Sequence, residues 1–133
     1  MEINNNEKKS RILLVDDDHD IILTFKKALE DNSQIEVDIF TDPIEALSNF
    51  KASLYDLLII DIRLPKMDGF ELYDKMKEID NKVKVCFMTA YEINYKALRA
   101  IFPLSDLEEG CFIRKPVNIE DFIGRVKAEL VAR

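Results

Sequence analysis

No stretch of this 133-residue sequence approaches the roughly 20 consecutive apolar residues of a membrane-spanning helix, so no membrane association is expected. The first residues, Met1 to Arg11, are polar and lack the apolar segment of a secretory signal, which makes the cytoplasm the expected compartment. Cysteine is scarce. Cys86 and Cys111 are too few for a disulfide framework and too far apart for a metal knuckle. Both lie in apolar, strand-like surroundings and are expected to be buried, reduced thiols serving as small core residues. Positive charge is also short, with 19 Lys and Arg against 26 Asp and Glu, a formal charge of −7. An acidic domain is a poor direct binder of nucleic acid, because phosphate contacts need basic side chains gathered on one face. What remains is ordinary for a globular chain: 47% hydrophobic and 34% charged residues, enough for one core in one domain.

Residues 1–10, with Asn4-Asn5-Asn6 and Lys8-Lys9, offer little to bury and are expected to form a flexible leader to one domain over 11–133. Two kinds of segment then alternate. Ile12-Leu13-Leu14-Val15 and Leu57-Leu58-Ile59-Ile60 are unbroken apolar runs, as expected of parallel strands covered on both faces. Ile35 to Phe40, Val83 to Met88 and Cys111 to Ile113 are further strand candidates. Between them, Ile21, Ile22, Phe25, Ala28 and Leu29 fall on one helical face, as do Leu72, Tyr73, Met76 and Ile79. Asp42-Pro43-Ile44-Glu45 carries a capping acid, a first-turn proline and a third-position Glu, and so starts a helix with Ala46, Leu47 and Phe50. Ile93, Ala97, Leu98 and Ile101 form another stripe, stopped by Pro103. Asn118 caps a last helix with Ile119, Phe122, Ile123, Val126 and Leu130, weakened by Gly124. The order is β-α five times over. Such a chain is expected to fold as an α/β doubly wound, five-stranded parallel sheet with helices on both faces.

In such sheets the ligand site lies beyond the carboxyl ends of the strands. Asp16, Asp17 and Asp18 follow the first strand, Asp61 the third, Thr89 the fourth, and Lys115-Pro116 the fifth. Carboxylates crowded at one edge repel one another and call for a cation, and hard oxygen ligands with few competing His or Cys point to Mg²⁺. A lysine and a hydroxyl beside such a carboxylate suit phosphoryl transfer, with the carboxylate as nucleophile. Each residue alone has a plain structural role. Asp18 or Asp20 caps the first helix, Lys115 is a surface lysine, Thr89 a strand residue, and Met67-Asp68-Gly69 a turn before a helix. Their joint placement is what points to chemistry.

These residues resemble the receiver domain of two-component response regulators, and the resemblance runs through nearly everything from Arg11 onward. It is carried by Ile12-Leu13-Leu14-Val15-Asp16-Asp17, Leu58-Ile59-Ile60-Asp61, Pro65 with Met67-Asp68-Gly69, Met88-Thr89-Ala90, and Lys115-Pro116. The resemblance implies the flavodoxin-like strand order 2-1-3-4-5. It also implies that Asp61 is the phospho-acceptor and that Asp16, Asp17, Asp61 and the backbone carbonyl of Arg63 hold Mg²⁺. It implies that Lys115, aimed by a cis bond to Pro116, contacts the phosphoryl group, and that Thr89 moves towards it. Phe112 occupies the place of the aromatic switch residue, which turns inward as Thr89 moves. Arg63 and Tyr91 are expected to flank the path of an attacking water and to slow dephosphorylation. The partners implied are a sensor histidine kinase or histidine phosphotransfer protein, a downstream protein, and a second copy in a phosphorylation-dependent homodimer. The sequence departs from the family pattern between Thr89 and Lys115, where Pro103 to Glu109 reads as an extended loop. The resemblance implies that this loop belongs to the partner surface built from the fourth helix, fifth strand and fifth helix.

Two other classes compete. An aspartyl-nucleophile phosphatase would use the spaced acids of Asp16-Asp17-Asp18-His19-Asp20, but Ile21-Ile22 follows where a hydroxyl and turn signature belong. A receiver that binds partners without phosphate usually lacks an acid or the lysine, and all are present here. The expected protein is therefore a switch that catalyses only its own phosphorylation and dephosphorylation. It is a stand-alone receiver, a phosphorelay shuttle or a piece of a longer protein.

Overall fold

A computed structural model of the chain describes residues 9–90 and 111–131. These form β1 (Ser10–Val15), α1 (His19–Glu30), β2 (Ile35–Phe40), α2 (Pro43–Asn49), β3 (Leu57–Asp61), α3 (Gly69–Ile79), β4 (Lys84–Thr89), β5 (Phe112–Arg114) and α4 (Ile119–Val131). The strands pair in the order β2-β1-β3-β4-β5, and all four pairings are parallel, as the apolar runs imply. Ser10 already belongs to β1, opposite Ile35, while residues 1–8 of the expected leader lie outside the described residues. The expected stripe Ile93 to Ile101, the loop Pro103 to Glu109 and Tyr91 also lie outside them.

Because side chains alternate along a strand, the central strands feed two cores at once. Leu13, Val15, Leu58, Ile60 and Phe87 face α2 and α3, where they meet Ala46, Leu72, Tyr73 and Met76. Ile12, Leu14, Leu57, Ile59 and Met88 face α1 and α4, where they meet Ile22, Phe25, Leu29, Phe122 and Val126. The Phe25 and Phe122 rings stack at 4.0 Å and join those two helices. Each fully buried Leu, Ile or Phe contributes roughly 1.5–3 kcal/mol, which is why the two unbroken runs at β1 and β3 anchor the fold.

The helix starts follow local chemistry. Asp18 is the cap of α1, accepting from Asp20 N and Ile21 N. Asp42 accepts from Ile44 N ahead of Pro43, and Asp68 from Glu71 N. Asn118 Oδ1 accepts from Asp121 N at 2.7 Å at the start of α4. Two expectations need correction. Ile79, placed on the buried stripe of α3, is 45% exposed, because it is the helix's last residue and lies past the end of the core. Cys86 and Cys111, expected as reduced thiols, are joined in a disulfide. A separation of 25 residues hides the reason. Phe87 pairs with Phe112 across β4 and β5, so the preceding residues face each other with their Cα atoms 4.5 Å apart.

Candidate functional site

The carboxyl ends of the strands bring Asp16, Asp61, Thr89 and Lys115 together. Asp16 follows β1, and its N–H donates to Phe40 O at 3.2 Å, which continues the β1–β2 ladder one step past the strand. Asp16 is 1% exposed and Asp61, the last residue of β3, 5%. Thr89 closes β4 and is buried, and its carbonyl accepts from Lys115 N at 2.7 Å, which aligns the turn after β5 with the end of β4. The Lys115–Pro116 bond in that turn is cis. Lys115 Nζ lies 2.9 Å from Asp16 Oδ2 and 3.2 Å from Asp61 Oδ2, so one ammonium bridges two carboxylates from different strands.

The electrostatics are unbalanced. Burial and then the neighbouring charge of Asp16 push the Asp61 pKa up to about 6, with Lys115 and the Arg63 N–H opposing. Burial disfavours the Lys115 charge, but its contacts with Asp16 and Asp61 outweigh that and raise its pKa. The approach of Lys115 to Asp16 Oδ2 is an ion-pair contact without hydrogen-bond alignment, so that buried oxygen keeps unused acceptor capacity. Asp16 Oδ1 accepts from Asp18 N at 2.9 Å, which orients the carboxylate. Asp17 is exposed on the rim, and Asp16, Asp17 and Asp61 each offer a carboxylate oxygen within 4.8 Å of the others. A buried oxygen with spare capacity, a carboxylate whose pKa is raised by burial and a neighbouring like charge, and a hard-oxygen donor set together fit a divalent cation.

The segment after Asp61 is held close. Arg63 N approaches Asp61 Oδ1 at 3.4 Å, and the Arg63 side chain is exposed. Gly69 N donates to Ile62 O at 2.8 Å. A Cβ at Gly69 would run into the Asp61 carbonyl oxygen and lie 2.9 Å from Ile62 Cα, so only glycine lets α3 start against the acceptor strand. Lys66 takes a left-handed φ of 70° in this loop, and its ammonium pairs with Asp42 at 2.9 Å. Phe112 is buried, with its ring 5.7 Å from that of Phe87. Sequence reasoning brought out Asp16, Asp17, Asp61, Thr89, Lys115 and Phe112, but it missed the Gly69 approach and the Asp18 N–H. A glycine directly after a capping aspartate, where a helix gains nothing from it, was the available signal for the first.

Comparison with known proteins gives the family. The family model for the response regulator receiver domain matches residues 12–127, and the chain belongs to that family. The response regulator receiver protein CpdR of Brucella abortus is 32% identical over 123 residues, covering 92% of this chain and 98% of CpdR. The regulatory protein VanRB of Enterococcus faecalis is 36% identical over 120 residues, covering 90% of this chain and 52% of VanRB, so the chain spans about half of that relative. Among solved structures, the non-phosphorylated HemR receiver domain from Leptospira biflexa superposes with a TM-score of 0.81 at 29% identity, over 94% of this chain and 97% of that one. Among the described residues no helix is long and apolar enough to cross a membrane.

Proposed function

We propose that Asp61 accepts a phosphoryl group and that the chain acts as a phosphorylation-driven switch in the cytoplasm. The observation that carries this reading is the single ammonium of Lys115 bridging Asp16 and Asp61, at 2.9 and 3.2 Å, at the carboxyl edge of the sheet. Asp61 supplies the attacking carboxylate oxygen, and the Lys115 ammonium meets the charge that develops on the phosphoryl oxygens. Thr89 donates its hydroxyl to one of those oxygens once the group is attached. Mg²⁺ would be held by Asp16, Asp17, Asp61 and the Arg63 carbonyl, and when bound it neutralises phosphoryl charge. Phe112, on the strand that leads to Lys115, follows Thr89 and changes the partner surface.

The phosphodonor is a sensor histidine kinase or a histidine phosphotransfer protein. An apolar recess of about 530 Å³, lined by Ile21, Phe25, Pro116 and Val117 and sharing Lys115 with the acidic site, gives such a donor a surface to rest on. The output is a downstream protein or a second copy. Arg63 and Tyr91 slow the loss of the phosphoryl group by obstructing the incoming water. Replacing both with alanine shortens the lifetime of the phosphorylated form; an unchanged lifetime removes them from that role.

The test is intact mass after incubation with acetyl phosphate, with and without Mg²⁺, for the native chain and Asp61→Asn. A single Mg²⁺-dependent phosphoryl adduct, absent from the variant, is the expected result. An adduct on both proteins would move the acceptor elsewhere, and an adduct on neither would point to a receiver that works without phosphate.

A further inference from the structure

We infer that Cys86 and Cys111 form a reversible thiol–disulfide site that sets how far β4 and β5 can shift against each other, and so tunes the response to phosphorylation. The consequence for signalling rests on the Asp61 reading above, while the thiol chemistry does not.

The two cysteines face each other because Phe87 pairs with Phe112, and the Phe87 N–H donates to Cys111 O at 2.8 Å beside them. β5 has three residues and, among the described residues, pairs with β4 alone, so a short ladder holds it in the sheet. A covalent link at its first step is a large addition to so few bonds. The link closes a ring over residues 86–111 that contains Thr89, and β5 leads from it through Phe112 to Lys115. The cysteines lie in the layer under α1 and α4, whereas Phe87 and Phe112 lie in the opposite layer. The bond therefore restrains the strands carrying the switch residues without touching the acidic site.

Neither sulfur is open to solvent: Cys86 is fully buried and Cys111 is 3% exposed. Glu129 of α4 brings a carboxylate within 4.8 Å of the pair, and Lys84 on β4 ties the Glu129 carbonyl at 2.6 Å. Exchange therefore proceeds through local opening at the end of α4. The oxidant is a low-molecular-weight disulfide. The Cys111 thiolate attacks one of its sulfurs and expels one thiolate, and Cys86 then attacks the Cys111 sulfur of the mixed disulfide and expels the second. Two electrons pass from the protein to the small disulfide, and the two cysteine protons end on the released thiols. In a reducing compartment an intramolecular disulfide of this kind responds to redox conditions, where in an oxidising one it would be a permanent staple.

The native chain is equilibrated in glutathione buffers from fully reduced to fully oxidised, then denatured, alkylated and weighed. A reversible passage between two alkylated cysteines and none is expected. Two alkylated cysteines in every buffer would overturn the inference, as would none in every buffer. Each redox form is then treated with acetyl phosphate and Mg²⁺, and amide exchange is followed at residues 87–89 and 112–114. The phosphorylation-induced change is several-fold smaller in the oxidised form, and the Cys86→Ala, Cys111→Ala double variant responds alike in both buffers. An adduct on both forms with equal exchange changes overturns the tuning alone. No adduct on either overturns the Asp61 reading and, with it, the tuning, while the thiol titration still decides the redox chemistry.

Discussion

The two ends of β1 each carry a cluster of carboxylates around one basic side chain, and the clusters behave in opposite ways. Near the start of the strand, Arg11 reaches Asp38 at 2.7 Å and Glu36 at 3.3 Å, while the Tyr55 hydroxyl donates to Asp38 at 2.6 Å. Burial pushes the Asp38 pKa up, but the bonds from Tyr55 and Arg11 outweigh it and leave the group below its ordinary value. Tyr55 pays in the other direction, pushed up to about 12 by burial and by Asp38. At the far end, Asp16 and Asp61 share the one ammonium of Lys115, and Asp61 rises to about 6. Each cluster keeps one buried atom without a hydrogen-bond partner: Arg11 Nε in the first and Asp16 Oδ2 in the second. In the first the buried spare capacity lies on the cation, and the acid accepts from both Arg11 and Tyr55 on its Oδ2. In the second it lies on the acid. A carboxylate supplied with enough donors holds the structure together, and one left short is ready for a cation or a phosphoryl group.

Removing the basic residue from each cluster should separate them most. Lys115→Met is expected to slow acetyl phosphate labelling of Asp61 about a hundredfold, the order seen when one donor is taken from a developing charge. Arg11→Met, remote from the acceptor, should leave labelling within about twofold of the native rate. Equal slowing in both would break the contrast. Gly69→Ala forces a methyl group into the Asp61 carbonyl and Ile62, and the urea midpoint should report a loss of about 2–3 kcal/mol. A native-like midpoint would mean that the acceptor strand yields.

The pH dependence of stability should have opposite signs at the two ends. In metal-free protein the folded state holds the Asp61 proton between its ordinary 3.8 and about 6, so the unfolded state binds fewer protons there. Stability therefore falls as pH rises through that window, by at most about 3 kcal/mol, and Asp61→Asn should flatten the slope. Asp38 is depressed, so its contribution is present above 3.8 and is lost as pH falls through its lower folded value. Asp38→Asn should remove that acid limb, which urea unfolding across pH would display. The smallest expected effect is that of Tyr55→Phe. It removes one hydrogen bond to Asp38, costs about 1 kcal/mol, and raises the Asp38 pKa in an NMR titration.

Much of this architecture is legible in the chain because the signals are local. Ile12 to Val15 and Leu57 to Ile60 read as buried strands, Asp42 with Pro43 reads as a helix start, and a parallel sheet follows from alternation of strand and helix. Asp16, Asp61, Thr89 and Lys115 could be picked out because each sits one step past, or at the end of, a strand. The Arg11–Asp38–Tyr55 cluster was not legible, since its members lie on β1, on β2 and in the approach to β3. Nothing in their spacing says that they meet.

The sequence by itself determined which segments are strands and which are helices, which faces are buried and which edge of the sheet carries the chemistry, because periodicity and capping act over a few residues. Only the tertiary structure decided how charge is shared. Whether Lys115 bridges two acids, whether Asp38 meets both Arg11 and Tyr55, and whether Cys86 meets Cys111 all depend on register between strands far apart in the chain. Those distances are set by side chains packing between layers, and a change of one residue in register would turn each of these side chains to the other face of the sheet.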